Sequence, residues 1–168
     1  PEALGQGYSF REGGGIAMEF TIERPEDLVR LRAEGVAARL RYVANALRLL
    51  RQELAGRQAL IGFCGSPWTL ANFMLQGGSS RRFDRALALL REDPTTYARL
   101  AEILTQATIA YLNLQIEAGA DVLQVFDTLG HLAGGADFEQ ASGRWLKEIV
   151  QGVNGRVPVI VFAKGVND

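Results

Sequence analysis

LIGFCGSPWTLANFMLQGG, residues 60–78, decides the fold. An apolar run from Leu60 to Phe63 turns through Cys64 and Gly65, then restarts as a helix at Ser66-Pro67. Serine accepts hydrogen bonds from the free N–H groups of a helix start, and proline at the first helical position has no N–H to lose. Gly77-Gly78 ends the helix, since glycine tolerates the left-handed conformation of a C-terminal cap. The stretch therefore reads as a buried strand, a tight turn and a short helix whose N-terminus points back over the strand end. In α/β proteins ligands bind at such corners, where helix N–H groups and loop side chains converge.

Upstream, Tyr8-Ser9-Phe10 and Ala17 to Ile22 flank Gly13-Gly14-Gly15 and predict a hairpin turning at the glycines. The glycine-rich text has no following Lys-Ser/Thr, so it is not a Walker motif. Pro25 opens a short helix with Leu28 and Leu31 on its apolar side, and Gly35 breaks it. From Arg39 a second helix carries Leu40, Val43, Leu47, Leu50 and Leu54 on one stripe, and Gly56 ends it. Arg39, Arg41, Arg48 and Arg51 read as its solvated face rather than as an anion patch.

Downstream, Ser79-Ser80 predicts a cap for a helix from Arg81 to Glu92 with Phe83, Leu87 and Leu90 buried. Pro94 stops it, and a long helix from Thr96 to Ala118 follows, with Tyr97, Leu100, Leu104, Ala107, Tyr111 and Leu114 at helical spacing. Asp121 to Asp127 is a second strand, Ala136 to Gln151 a helix, and Val157 to Ala163 a third strand closed by Lys164-Gly165. Strands joined by helices are parallel, so the class is α/β. The residues leave open a doubly wound sheet or a stretch of a (β/α)8 barrel. No GxGxxG follows a strand, which counts against a dinucleotide site.

The 168 residues suffice for one domain with a core, and 1–168 is read as a single domain. A net charge of −1 argues against broad nucleic-acid or membrane-surface binding. No apolar run is long enough to span a bilayer. One cysteine and one histidine leave little material for a metal site and no intrachain disulfide. The start at Pro1 and the stop just after a strand predict a fold cut at both ends, a central piece of a longer protein.

Chemistry should sit where the strands end, at Phe63-Cys64-Gly65, Asp127-Thr128 and Lys164-Gly165. Asp127 could be a general acid/base or a loop-anchoring carboxyl. Thr128 could bond a ligand or cap its loop. Cys64 reads as a small buried thiol before a nucleophile, Lys164 as a surface lysine before a Schiff-base or anion-binding group, and His131 as a loop histidine before one that reaches a site. Phe63, Trp68 and Phe73 form an apolar aromatic wall on which a flat ligand could lie, unless helix packing accounts for them.

Residues 60–78 resemble the signature of the uroporphyrinogen decarboxylase family, close to PLIGFxGxPWTLxxYMxEGG. YLNLQIEAGADVLQVFDT, residues 111–128, is similar to the family's YLxxQxxAGAxxxQxFDT block, and PEALGQGYSF and VPVIVFAKG resemble flanking segments in the same order. The resemblance spans essentially the whole chain but less than half of the family's usual length. It implies consecutive β/α units from the N-terminal half of a (β/α)8 TIM barrel in a cytoplasmic homodimer. It implies a lyase of porphyrin and haem biosynthesis that decarboxylates the four acetates of uroporphyrinogen III to coproporphyrinogen III, with no cofactor, metal, nucleic acid or membrane.

Carried over by position, the resemblance implies substrate-binding roles for Phe63, Phe73 and Thr128. Phe73 stands where the family has a tyrosine, which removes a hydroxyl. The family's catalytic aspartate would lie upstream of Pro1, its arginine loop further upstream and its histidine beyond Asp168, so 1–168 alone should be inactive. The alternatives are a corrinoid-dependent methyltransferase of the same superfamily, or an incomplete chain acting as a binding or structural piece.

Overall fold

The structure, a computed structural model, describes residues 1–165. The predicted hairpin is present: β1 (Tyr8–Phe10) pairs antiparallel with β2 (Ile16–Met18). Gly78, at φ +124°, bridges to Ala17 and ties this hairpin to the end of the central stretch. A 3-10 turn at Pro25–Arg30 and a short α1 (Val36–Arg39) lead into α2 (Arg41–Leu54).

The packed face of α2 is rotated from the expected stripe. Ala44 and Leu47 are buried, whereas Leu50 is 51% exposed. The third position on the packed face is Arg51, whose guanidinium donates to the Gly119 carbonyl and pairs with Asp121. Arg39 likewise donates to the carbonyls of Ala3, Arg32 and Glu34. Two of the four arginines read as solvated thus act as clamps, because a guanidinium can satisfy several loop carbonyls that a leucine would leave unpaired. The helix ends at Leu54, where Ala55 and the expected Gly56 both take the left-handed conformation.

The central stretch folds as read. β3 (Ile61–Gly65) turns into α3 (Pro67–Gln76), with the Ser66 side chain accepting from the Thr69 N–H and Gly77 as the left-handed cap. The next helix, α4 (Arg85–Glu92), starts four residues later than expected. Ser80 closes a local turn with Arg82 instead of capping a helix. Pro94 starts α5 (Pro94–Glu117) rather than stopping its predecessor, because Asp93 caps the Thr96 N–H at 3.0 Å. β4 (Val122–Asp127) follows, then α6 (Gly134–Phe138), a π-helical turn at Glu139–Gly143, α7 (Arg144–Gly152) and β5 (Val159–Ala163).

β3, β4 and β5 form a parallel sheet whose spatial order equals their chain order. A doubly wound sheet reverses direction at a switch point, whereas a barrel winds one way. The described strands wind one way, as in a partial TIM barrel. Leu123, Val125 and Asp127 are buried against the helices. The other face is open among the described residues, with Ile61, Phe63, Ile160 and Phe162 all exposed. The main core lies between α3, α4 and α5, around Trp68, Met74, Tyr97, Leu100 and Leu104. No helix among the described residues is long and apolar enough to cross a membrane.

Candidate functional site

At the end of β4, Asp127 is fully buried and both its carboxyl oxygens are occupied. Ser66 Oγ and Thr69 Oγ1 donate to Oδ1 at 2.6 and 2.9 Å, and Ser142 Oγ donates to Oδ2 at 2.7 Å. Ser66 caps α3 and Thr69 lies in its first turn, so the carboxyl sits against that helix's positive end, where negative charge is favoured. The helix N-terminus that the sequence suggested would face a ligand is therefore filled by the chain's own aspartate. Of the two readings of Asp127, the anchoring one fits.

The same corner fixes its neighbours. Thr69 Oγ1 accepts from the Leu129 N–H at 3.3 Å, and Trp68 Nε1 donates to the Leu129 carbonyl at 2.8 Å. Trp68 is fully buried, with its ring edge-on to Tyr97 at 5.8 Å. It is core, not part of an exposed aromatic wall. The Tyr97 hydroxyl donates to the Ala141 carbonyl, and burial, then the nearby Asp127, push its pKa up. Asp127, Trp68 and Tyr97 together pin the loop after β4 and the π-turn that carries Ser142.

Cys64 is buried as expected, and burial pushes its thiol up to about 12. It cannot supply thiolate near neutrality. Alkylation by iodoacetamide at pH 8 should label Cys64 at least about 100-fold more slowly in the folded protein than in urea. Peptide mass mapping of the labelled site checks this, and comparable rates would contradict it.

The open sheet face carries aromatic rings at its C-terminal half. Phe63 and Phe126 meet edge-to-face at 6.1 Å, and Phe126 and Phe162 at 6.2 Å. Phe63 is 59% exposed and lines a largely apolar cleft of about 310 Å³ with Tyr8, Leu40, Tyr42, Leu70 and Tyr111. Thr128 is exposed just past β4. Phe73, seven residues past the Ser66 cap and so about 10 Å along α3, packs edge-to-face with Phe83 at 5.1 Å. His131, in a 3-10 turn at Gly130–Leu132, and Lys164, just past β5, are exposed. Phe126 and Phe162 were not singled out from the sequence. Their signal was parity: each stands one residue before the last of its strand, on the face opposite Asp127 and Ala163.

No group of three or more His, Cys, Asp or Glu side chains among the described residues is arranged to hold a metal ion.

The sequence profile of the uroporphyrinogen decarboxylase (URO-D) family matches residues 1–167. The uroporphyrinogen decarboxylase of Cellvibrio japonicus is 41% identical over 170 residues, covering 98% of this chain and 48% of the relative. That of Thioalkalivibrio sulfidiphilus is 43% identical over 173 residues, with the same shares. The chain thus spans about half the length of the curated relatives it matches. Among solved structures, a methyltransferase from Methanosarcina mazei superposes with a TM-score of 0.68 at 18% identity, over 95% of this chain and 47% of that one. At that identity the likeness is one of fold. The profile match over nearly every residue, and the identity shared with named relatives, show that this chain belongs to the uroporphyrinogen decarboxylase family.

Proposed function

We propose that this chain forms one wall of the substrate cleft in a uroporphyrinogen decarboxylase, which removes CO2 from the four acetates of uroporphyrinogen III to give coproporphyrinogen III without a cofactor. The observation that carries this is the row Phe63–Phe126–Phe162 on the open sheet face, with Phe63 and Phe162 exposed and Phe126 half-buried between them. Its rings lie on three adjacent strands, a span of about 10 Å at ordinary strand spacing. That apolar surface suits the hydrophobic face of a tetrapyrrole. Phe63 is the anchor of the row, Thr128 offers a hydroxyl at its rim, and Phe73 stands further along α3 as an apolar residue with no hydrogen bond to give.

Loss of CO2 from an acetate on a pyrrole needs the ring protonated first, so that the electrons of the breaking C–C bond have a sink. The cation so formed needs a nearby carboxylate. Asp127 is committed to three hydroxyls, so we assign that role to the part of the protein outside these residues, as the family's upstream aspartate suggests. On the same grounds, of family likeness, we place the enzyme in the cytoplasm as a homodimer and read residues 1–168 as one continuous part of a longer barrel.

The test is coproporphyrinogen formation by the full-length natural protein, beside residues 1–168 expressed alone. The full-length protein should turn over and the shorter one should not. Phe63→Ala in the full-length protein should raise KM about tenfold, the loss of one aromatic anchor worth about 1.4 kcal/mol. No coproporphyrinogen from the full-length protein would sink the reading.

A further inference from the structure

Phe63 is held by a side chain where a neighbouring strand would ordinarily hold it. In a parallel sheet a residue directs both its N–H and its C=O to one side. On β3 the Leu60 carbonyl accepts from Asp121 N at 2.8 Å and Ser66 N donates to the Phe126 carbonyl at 2.8 Å, so even-numbered residues turn toward β4. Phe63 turns its main chain to the opposite edge, where no strand pairs with β3 among the described residues. There the Gln115 amide satisfies both groups: Oε1 accepts from Phe63 N at 2.9 Å and Nε2 donates to the Phe63 carbonyl at 3.0 Å. Gln115 is only 2% exposed, and all its polar atoms in this exchange come from α5.

Gly62 makes the reach possible. A Cβ at that position would stand 2.8 Å from Gln115 Oε1 and 2.9 Å from a Leu123 methyl. The amide therefore passes through space that any other residue would fill. The cleft lined by Phe63 and Tyr111 lies beside this edge.

We propose that Gln115 is the positioning residue for Phe63: its amide replaces one rung of the β-ladder, keeps any neighbouring strand from pairing at Phe63, and so holds the ring out as the cleft's anchor for a tetrapyrrole. The role in substrate binding rests on the functional reading above; the side-chain rung does not. A strand laid along this edge in the longer protein has to leave the ladder at Phe63, which keeps the cleft open there.

The test uses the full-length natural protein. Gln115→Met keeps the length of the side chain and removes both bonds. It should speed hydrogen exchange of the Phe63 amide at least about tenfold, and raise KM for uroporphyrinogen III about three- to tenfold with kcat within about twofold. Leu100→Ala, an equally buried change elsewhere on α5, should lower stability without moving KM. Gly62→Ala should displace the amide and reproduce the Phe63 exchange effect, which covers the case in which Gln115→Met does not fold. In the unmodified protein the Gln115 side-chain amide protons should be protected. Phe63 exchange unchanged in the Gln115 variant, or Gln115 amide protons exchanging as fast as those of an exposed glutamine, would overturn the proposal. If the unmodified protein makes no coproporphyrinogen, the functional reading falls and the exchange results alone decide the role of Gln115.

Discussion

Asp127→Ala is expected to destabilise the protein by about 3–5 kcal/mol, measured by urea unfolding monitored by circular dichroism. The change removes the acceptor for three buried hydroxyls, Ser66, Thr69 and Ser142. Each lost bond to a buried group costs about 1 kcal/mol or more when its partner is left behind. Asp127→Asn keeps one carbonyl oxygen as acceptor and should cost only about 1–2 kcal/mol. The pair of variants separates anchoring from chemistry. A general acid/base would lose nearly all turnover in the asparagine variant at little cost in stability. An anchor keeps turnover within about tenfold in that variant, because its work is geometric. Near-complete loss of activity in a stably folded Asp127→Asn protein would reverse the assignment made here.

Trp68→Ala should cost a similar amount, about 3–5 kcal/mol, by opening a cavity in the core between α3, α4 and α5. Trp68→Phe should cost less, because it fills much of the volume and loses chiefly the bond from Nε1 to the Leu129 carbonyl. If Trp68 instead belonged to the substrate wall, Trp68→Phe would raise KM with stability unchanged. Thermal unfolding beside steady-state kinetics on the same variants reads both effects. The contrast with Phe63 is the useful one. Two aromatic residues five positions apart are expected to act in opposite ways, one by holding the fold and one by touching a ligand.

That contrast shows where local sequence stops being informative. Ser66-Pro67, Gly77 and the apolar run before them specify strand, turn and helix through local forces: a side-chain cap, a fixed φ and a glycine in the left-handed region. The triple glycine does the same for the hairpin. The local pattern fails where another group, distant or adjacent, competes for the same position. Leu50 fits a helical stripe, yet Arg51 takes the packed position because Gly119 and Asp121, just past the end of α5, meet its guanidinium. Ser80 is a good cap by composition but closes a turn on Arg82. Pro94 looks like a stop until Asp93 is seen capping the helix it begins.

By itself, then, the sequence determined the α/β class, the order of the elements and the family, because each rests on residues adjacent in the chain. Only the tertiary structure decided which side chains face a ligand. Asp127 and Thr128 are neighbours in sequence, but one is sealed by hydroxyls from Ser66, Thr69 and Ser142 and the other is exposed. Phe63 lies on the open face because Gly62 and Cys64, on the other side of the pleat, pack against the helices, and Gln115, 52 residues away, holds its main chain. Burial and hydrogen-bond saturation are set by groups distant in the chain, and no local pattern around residues 60–78 encodes them.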